Sequence, residues 1–215
     1  MANILCLDFD GTVMPCDTTG EVLARFGGEE LERLTAKRAR GEMTVEQLNA
    51  AALRTVEASR EELSAFVGSL ASLREGFAEV VDRAWWNGWA PMIVSTAFDF
   101  AVAGVLDGQG LDRLARHTGR TSREYRWRVR YLSPRGVDLE DGFVLSYLAA
   151  LCAAGDTVVY VGSDRATAAA AKLASMVIAG GELFERLDGV HGRLHRFEGF
   201  EAAWRTIERE FVTEA

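Results

Sequence analysis

Four short apolar runs, separated by helical stretches, constrain this chain more than any other feature. They are residues 3–8 (NILCLD), 90–95 (APMIVS), 157–161 (TVVYV) and 176–179 (MVIA). None alternates apolar with polar residues, so each reads as a strand buried on both faces. The stretches between them carry helix signals. Thr44-Val-Glu-Gln47 and Ser59-Arg-Glu-Glu62 both have the spacing of a capping box. Residues 76–87 read as a helix stopped by Gly88, and residues 97–106, 140–154 and 165–174 as further helices. Phe200, Ala203, Trp204, Ile207 and Phe211 repeat at helical spacing. Strands that alternate with helices bury themselves as a parallel sheet with helices on both faces, an α/β fold. The helical block between the first and second runs reads as an insertion.

Composition narrows the partners. The net charge of −8 argues against general binding to nucleic acid or to membrane surfaces, whose partners are basic. The longest apolar stretch, 143–154, is broken by Ser146 and Tyr147 and falls short of the ~20 residues a membrane span needs. Cys6, Cys16 and Cys152 make no metal-spaced pair and no even disulfide set. With no basic segment at the start, the expectation is a cytoplasmic globular protein.

The chemistry concentrates after the first run, in Asp8-Phe9-Asp10-Gly11-Thr12. In an open parallel sheet, ligands sit outside the carboxyl ends of the strands. A carboxylate there can attack phosphorus to give an aspartyl-phosphate. A second carboxylate two residues on can protonate the leaving oxygen and then activate water. The alternative is a turn with two solvated acids, since Asp-Gly is ordinary turn chemistry.

Asp8-Phe-Asp-Gly-Thr12 after an apolar strand resembles the first motif of the haloacid dehalogenase superfamily of phosphatases. Ile93-Val-Ser-Thr96 resembles its second motif, whose hydroxyl holds the transferring phosphoryl group. Arg74-Glu-Gly-Phe77 and Ala97-Phe-Asp-Phe100 are similar to the phosphoserine phosphatase branch, and within it to the methylthioribulose-salvage phosphatase type. The likeness runs from about Ile4 to Phe211. It implies a Rossmann-like core over residues 1–15 and 74–215, a small helical cap over 16–73, Mg²⁺, and a small phosphorylated substrate. Asp8 would be the nucleophile and Asp10 the general acid/base. Ser95 and Thr96 would hold phosphoryl oxygens, with Asp8, the Asp10 carbonyl and Asp164 on the metal. The oligomeric state stays open, a dimer included.

Two motifs depart from the pattern. The third calls for a lysine ahead of the helix near Glu140, Asp141 and Gly142, where there is none. Arg135, in Ser133-Pro-Arg-Gly136, could replace it as a bidentate donor, or could be a solvated loop arginine. The fourth motif's two acidic slots hold Ser163 and Thr167, leaving Asp164 one residue late, as a metal ligand or as an N-cap. Two functions follow as expectations. One is a phosphatase working through an aspartyl-phosphate. The other is a catalytically impaired scaffold repurposed for binding or for other chemistry on the same Asp pair.

Weaker signals remain. Eight arginines fall between 113 and 135, with Glu124 the only acid among them. Over 123–131 they alternate with Tyr125, Trp127, Val129 and Tyr131, which reads as one strand with a solvated face, or as a local anion or subunit contact. His117 reads as a surface helix residue. Trp85, Trp86 and Trp89 read as covers for the core or the cap junction.

Overall fold

The computed structural model describes residues 1–70, 72–107, 109–111 and 113–212. One eight-stranded sheet organises them, in the order β5-β4-β3-β2-β1-β6-β7-β8. The strands are β1 (Asn3–Leu7), β2 (Trp89–Phe98), β3 (Ala115–Arg123), β4 (Trp127–Leu132), β5 (Asp138–Leu139), β6 (Thr157–Gly162), β7 (Met176–Ala179) and β8 (Leu194–Arg196). The six from β3 to β8 in the sheet order are parallel; at one edge β4 runs antiparallel to both β3 and β5. β1 lies centrally, with Leu7 beside Ile93 of β2 and Val161 of β6. Cys6, Leu7, Ile93, Val159 and Ile178 are fully buried, as strands covered on both faces must be.

The chain leaves the sheet after β1 and forms four helices: α1 (Thr18–Phe26), α2 (Glu30–Ala39), α3 (Val45–Leu53) and α4 (Arg60–Leu70). Both expected capping boxes are present. Thr44 and Gln47 exchange hydrogen bonds ahead of α3, and Ser59 and Glu62 do so at the start of α4. The chain returns through α5 (Phe77–Trp86), and α6 (Asp99–Leu106) follows β2. After the sheet-edge hairpin come α7 (Phe143–Ala153), α8 (Ala168–Ala171), α9 (Gly181–Leu187) and α10 (Phe200–Ile207). No helix among the described residues is long and apolar enough to cross a membrane.

Several expectations need correction. Residues 123–131 are not one strand. β3 ends at Arg123, Tyr125 is exposed in the turn, and the alternation holds only in β4, where Trp127, Val129 and Tyr131 are buried between exposed arginines. His117 lies in β3, not on a helix, with its ring centroid 4.5 Å from that of Tyr147 on α7. The segment expected as one helix over 165–174 is a 3₁₀ turn at Arg165–Thr167 followed by the single turn of α8. Trp89 is buried against Phe211, and Trp85 lies under Arg113, whereas Trp86 covers nothing and is 89% exposed.

Candidate active site

Asp8 follows β1 directly, at the carboxyl end of the parallel strands, and is 5% exposed. Its Oδ1 accepts from the backbone N–H of Phe9 (2.8 Å) and from the Oγ–H of Ser95 (2.7 Å). Ser95 lies on the neighbouring strand β2, two residues past Ile93, the register partner of Leu7, and so one step beyond the level of Asp8. Burial pushes the Asp8 carboxyl up to about 7 from its ordinary 3.8. The Ser95 hydrogen bond opposes that shift, and the charges of Asp164 and Asp10 add to it.

The backbone then makes one tight turn over Phe9–Val13, closed by Met14 N–H to Phe9 O (2.9 Å). Gly11 is required there. Its φ is +70°, and a Cβ would stand 2.7 Å from Ser163 Oγ. The turn aims Asp10 at the start of α1, where its Oδ1 accepts from Thr18 N–H (2.9 Å) and Thr18 Oγ–H (2.5 Å) and its Oδ2 from Thr19 N–H (3.3 Å). Those donors at a helix N-terminus favour the carboxylate. Burial and the nearby Asp17 outweigh them, so the Asp10 carboxyl lies above its ordinary range.

Arg74 clamps this turn from below. Its guanidinium donates to the carbonyls of Thr12 (2.9 Å) and Gly11 (3.1 Å), and its own N–H donates to Val13 O (2.9 Å). The sequence reading used Arg74 only as part of a resemblance. Its partners lie 62 and 63 residues away, so no local pattern reveals the contact. Arg74→Met should leave both carbonyls without that donor and lower the unfolding free energy by roughly 1–3 kcal/mol. Arg74→Lys, able to reach one carbonyl, should recover part of it; urea unfolding of the three proteins measures this.

The other expected site residues divide. Thr96 turns its carbonyl to Asn49 Nδ2 (3.3 Å) and to the Tyr131 hydroxyl (2.8 Å), which ties α3 and β4 to the strand of Ser95. Asp164 caps the turn that follows β6, its Oδ1 accepting from Ala166 N–H (2.9 Å), and its Oδ2 lies 3.8 Å from an Arg38 nitrogen of α2. Ser163 shares a hydrogen bond with Thr12 (3.2 Å), and Thr167 donates to the Asp164 carbonyl.

Arg135 is not at the site. β4 runs antiparallel to the strands that end at Asp8, so the Ser133–Gly136 turn after it lies at the opposite end of the sheet. There Ser133, Pro134 and Gly136 line a cleft with Ala150, Leu151 and Ala154, the last turn of α7. Arg135 is exposed and cannot stand in for the missing lysine. What meets the first N–H of α7 instead is a carboxylate: Glu46 of α3, 4% exposed, accepts from Phe143 N–H at 2.9 Å. Thr44 donates alongside it to Glu140 O (2.8 Å). The place where the resemblance asks for a cation holds an acid.

Mg²⁺ asks for about six oxygens near 2.0–2.1 Å. The Asp10 side chain is turned to α1, which leaves its backbone carbonyl as the oxygen that would join Asp8, while Asp164 caps its own turn beside Arg38 and is near enough to Asp8 to raise its pKa. Among the described residues, no group of three His, Cys, Asp or Glu side chains could hold a metal ion. Asp8, the Asp10 carbonyl and Asp164 are the groups that would hold Mg²⁺, with Ser163 and Thr167 standing where the fourth motif calls for acids.

No family model matches the sequence, and no curated protein matches it. Solved structures do match. A phosphoserine phosphatase bearing a phospho-aspartyl intermediate analogue superposes with a TM-score of 0.69 at 19% identity, over 95% of this chain and 98% of that one. A probable phosphoserine phosphatase from Vibrio cholerae gives 0.68 at 18% identity, over 98% of this chain and 67% of that one. A haloacid dehalogenase family hydrolase from Salmonella enterica serovar Typhi gives 0.72 at 13% identity, over 99% and 72% of the two chains. The chain therefore shares the α/β fold of these phosphatase and hydrolase structures.

Proposed function

We propose that this protein is a phosphoric monoester hydrolase acting on a small phosphorylated metabolite. The observation that carries the reading is Asp8, buried at the end of β1 and fixed by Ser95 Oγ at 2.7 Å, with Asp10 one turn beyond it. An Asp8 oxygen forms a bond to phosphorus as the bond to the leaving oxygen breaks, giving an aspartyl-phosphate. Asp10 protonates the leaving oxygen, then takes a proton from the water that attacks phosphorus and frees Asp8. Ser95 orients the nucleophile and, as a donor, suits phosphoryl oxygens as well. Residues 16–73, with helices α1–α4, act as a cap that excludes bulk water and selects the substrate.

Phosphate release from an aryl phosphate and a panel of small phosphorylated metabolites tests this, with millimolar Mg²⁺ and with chelator. The raised Asp8 carboxyl fixes the pH dependence. The nucleophile must be ionised and Asp10 must carry the proton it donates, so kcat/KM should be bell-shaped, climbing from pH 5 as Asp8 ionises and falling on the alkaline side as Asp10 loses its proton. A flat profile across pH 5–8 would remove Asp8 as the nucleophile.

A second reading has its own observation. Glu46 at the head of α7, with no lysine there, weakens the neutralisation of a phosphoryl group. On that reading the chain binds a ligand at Asp8 and releases no phosphate from any substrate, with or without Mg²⁺.

A further inference from the structure

Two clefts, of about 460 and 480 Å³, meet at the outer side of β3, away from Asp8. They exist because of a mismatch in strand pairing. β4 joins β3 only from Arg120 to Arg123, so Ala115–Gly119 has β2 on one side and no paired strand on the other among the described residues. His117, Arg120, Leu132 and Tyr147 border both clefts.

Their characters differ. The cleft on the α6 side is polar, with Arg116, Arg120 and Thr121 in its wall. The cleft on the α7 side is apolar, walled by Leu132, Ala150 and Leu151. Most charges here are already matched. Arg116 pairs with Asp107 (2.7 Å), and Asp99 accepts from Arg60 (3.3 Å) and from Thr121. Arg120 is different: it has no acidic partner among the described residues, on a chain whose net charge is −8. Beside it the rings of His117 and Tyr147, with centroids 4.5 Å apart and 33° from parallel, stack on each other and border both clefts. Burial, with Arg120 adding, lowers the His117 pKa, so the ring is neutral at neutral pH and Arg120 is the cation.

We propose that this double cleft binds an amphiphilic organic anion. Its flat apolar body lies along Leu132, Leu151 and the Tyr147 and His117 rings, and its carboxylate or sulfonate rests on Arg120. The volume suits a molecule of one or two fused rings, pockets for small ligands running about 300–1,000 Å³. The arginine-rich segment that the reaction at Asp8 leaves unused thereby gains a role.

The probe is 8-anilinonaphthalene-1-sulfonate, titrated by fluorescence into the full chain under conditions where its near-UV dichroism is native, with 2-naphthoate as competitor. One saturable site, displaced by 2-naphthoate, is expected. Arg120→Gln alters an exposed side chain, and Ala150→Phe fills the apolar cleft from an exposed position; each should weaken binding about tenfold or more. Asp8→Asn should leave the affinity unchanged. The proposal fails if the wild type shows no saturable binding or if both cleft variants bind as it does. It also fails if Asp8→Asn abolishes the signal, or if sedimentation shows self-association that Ala150→Phe disrupts, which would make the cleft a contact between copies of the chain.

Discussion

Asp8→Asn should do two opposite things: abolish phosphate release and make the protein harder to unfold above pH 7. Removing the nucleophile should lower kcat by at least about 10³-fold, as loss of an attacking group does elsewhere. The gain in stability follows from burial. An ordinary unfolded aspartate titrates near 3.9, whereas the folded Asp8 carboxyl titrates at about 7. The folded state therefore binds the extra proton between those limits. Stability is full below pH 4 and falls as pH rises through 7, by about 4 kcal/mol in all. Asparagine mimics the protonated form, and its oxygen still accepts from Ser95 and Phe9. At pH 8 the variant should melt on the order of 10 °C above the wild type, with the gap closing at pH 4. Calorimetry at the two pH values checks this, and equal melting points at pH 8 would contradict an ionised, buried Asp8.

Trp127→Ala should be the most damaging single truncation in the sheet extension that carries the helical insertion. The indole is 1% exposed, its ring centroid lies 5.7 Å from that of Phe100, and Arg123 lies over its face. Its Nε1–H donates to Ala58 O (2.9 Å), while Arg123 donates to the carbonyls of Glu57 and Ala58. The link between α3 and α4 is thus strapped to the hairpin of β3 and β4. Truncation to alanine leaves a cavity and should cost about 3–5 kcal/mol. Trp127→Phe keeps most of the packing and loses one hydrogen bond, about 1 kcal/mol. Urea unfolding distinguishes the two, and equal losses would mean the strap, not the packing, carries the effect.

What the sequence discloses follows from whether a residue's reason for being there is local. β1, β2, β6 and β7 are legible because strands covered on both faces must be continuously apolar. β3 is not: ARHTGRTSR has an open outer side for half its length and needs no apolar run. β8 has three residues, and α9 begins at the second glycine of a pair that reads as a turn. The places of Asp8, Asp10 and Ser95 are legible because they sit at the ends of those strands. Arg38, Glu46, Asn49, Arg74 and Tyr131 meet their partners across 35 to 126 residues, and nothing nearby in sequence marks them. Arg135 misleads for a related reason. A loop sequence gives its turn chemistry, but only the direction of β4 decides which end of the sheet it occupies.

The central place of β1 also orders events in time. Asn3 pairs across to Trp89 on one side and to Thr157 on the other. Chains emerge from the ribosome from the N-terminus at about 5–20 residues per second. The segment bearing Asp8 is therefore made before both of its neighbours and waits for the second until residue 157 is added. Pairings so distant along the chain form slowly, because closing long loops opposes them. A nascent chain stalled before residue 157 would hold both aspartates yet lack β6, whose Val161 carbonyl accepts from the Asp8 N–H.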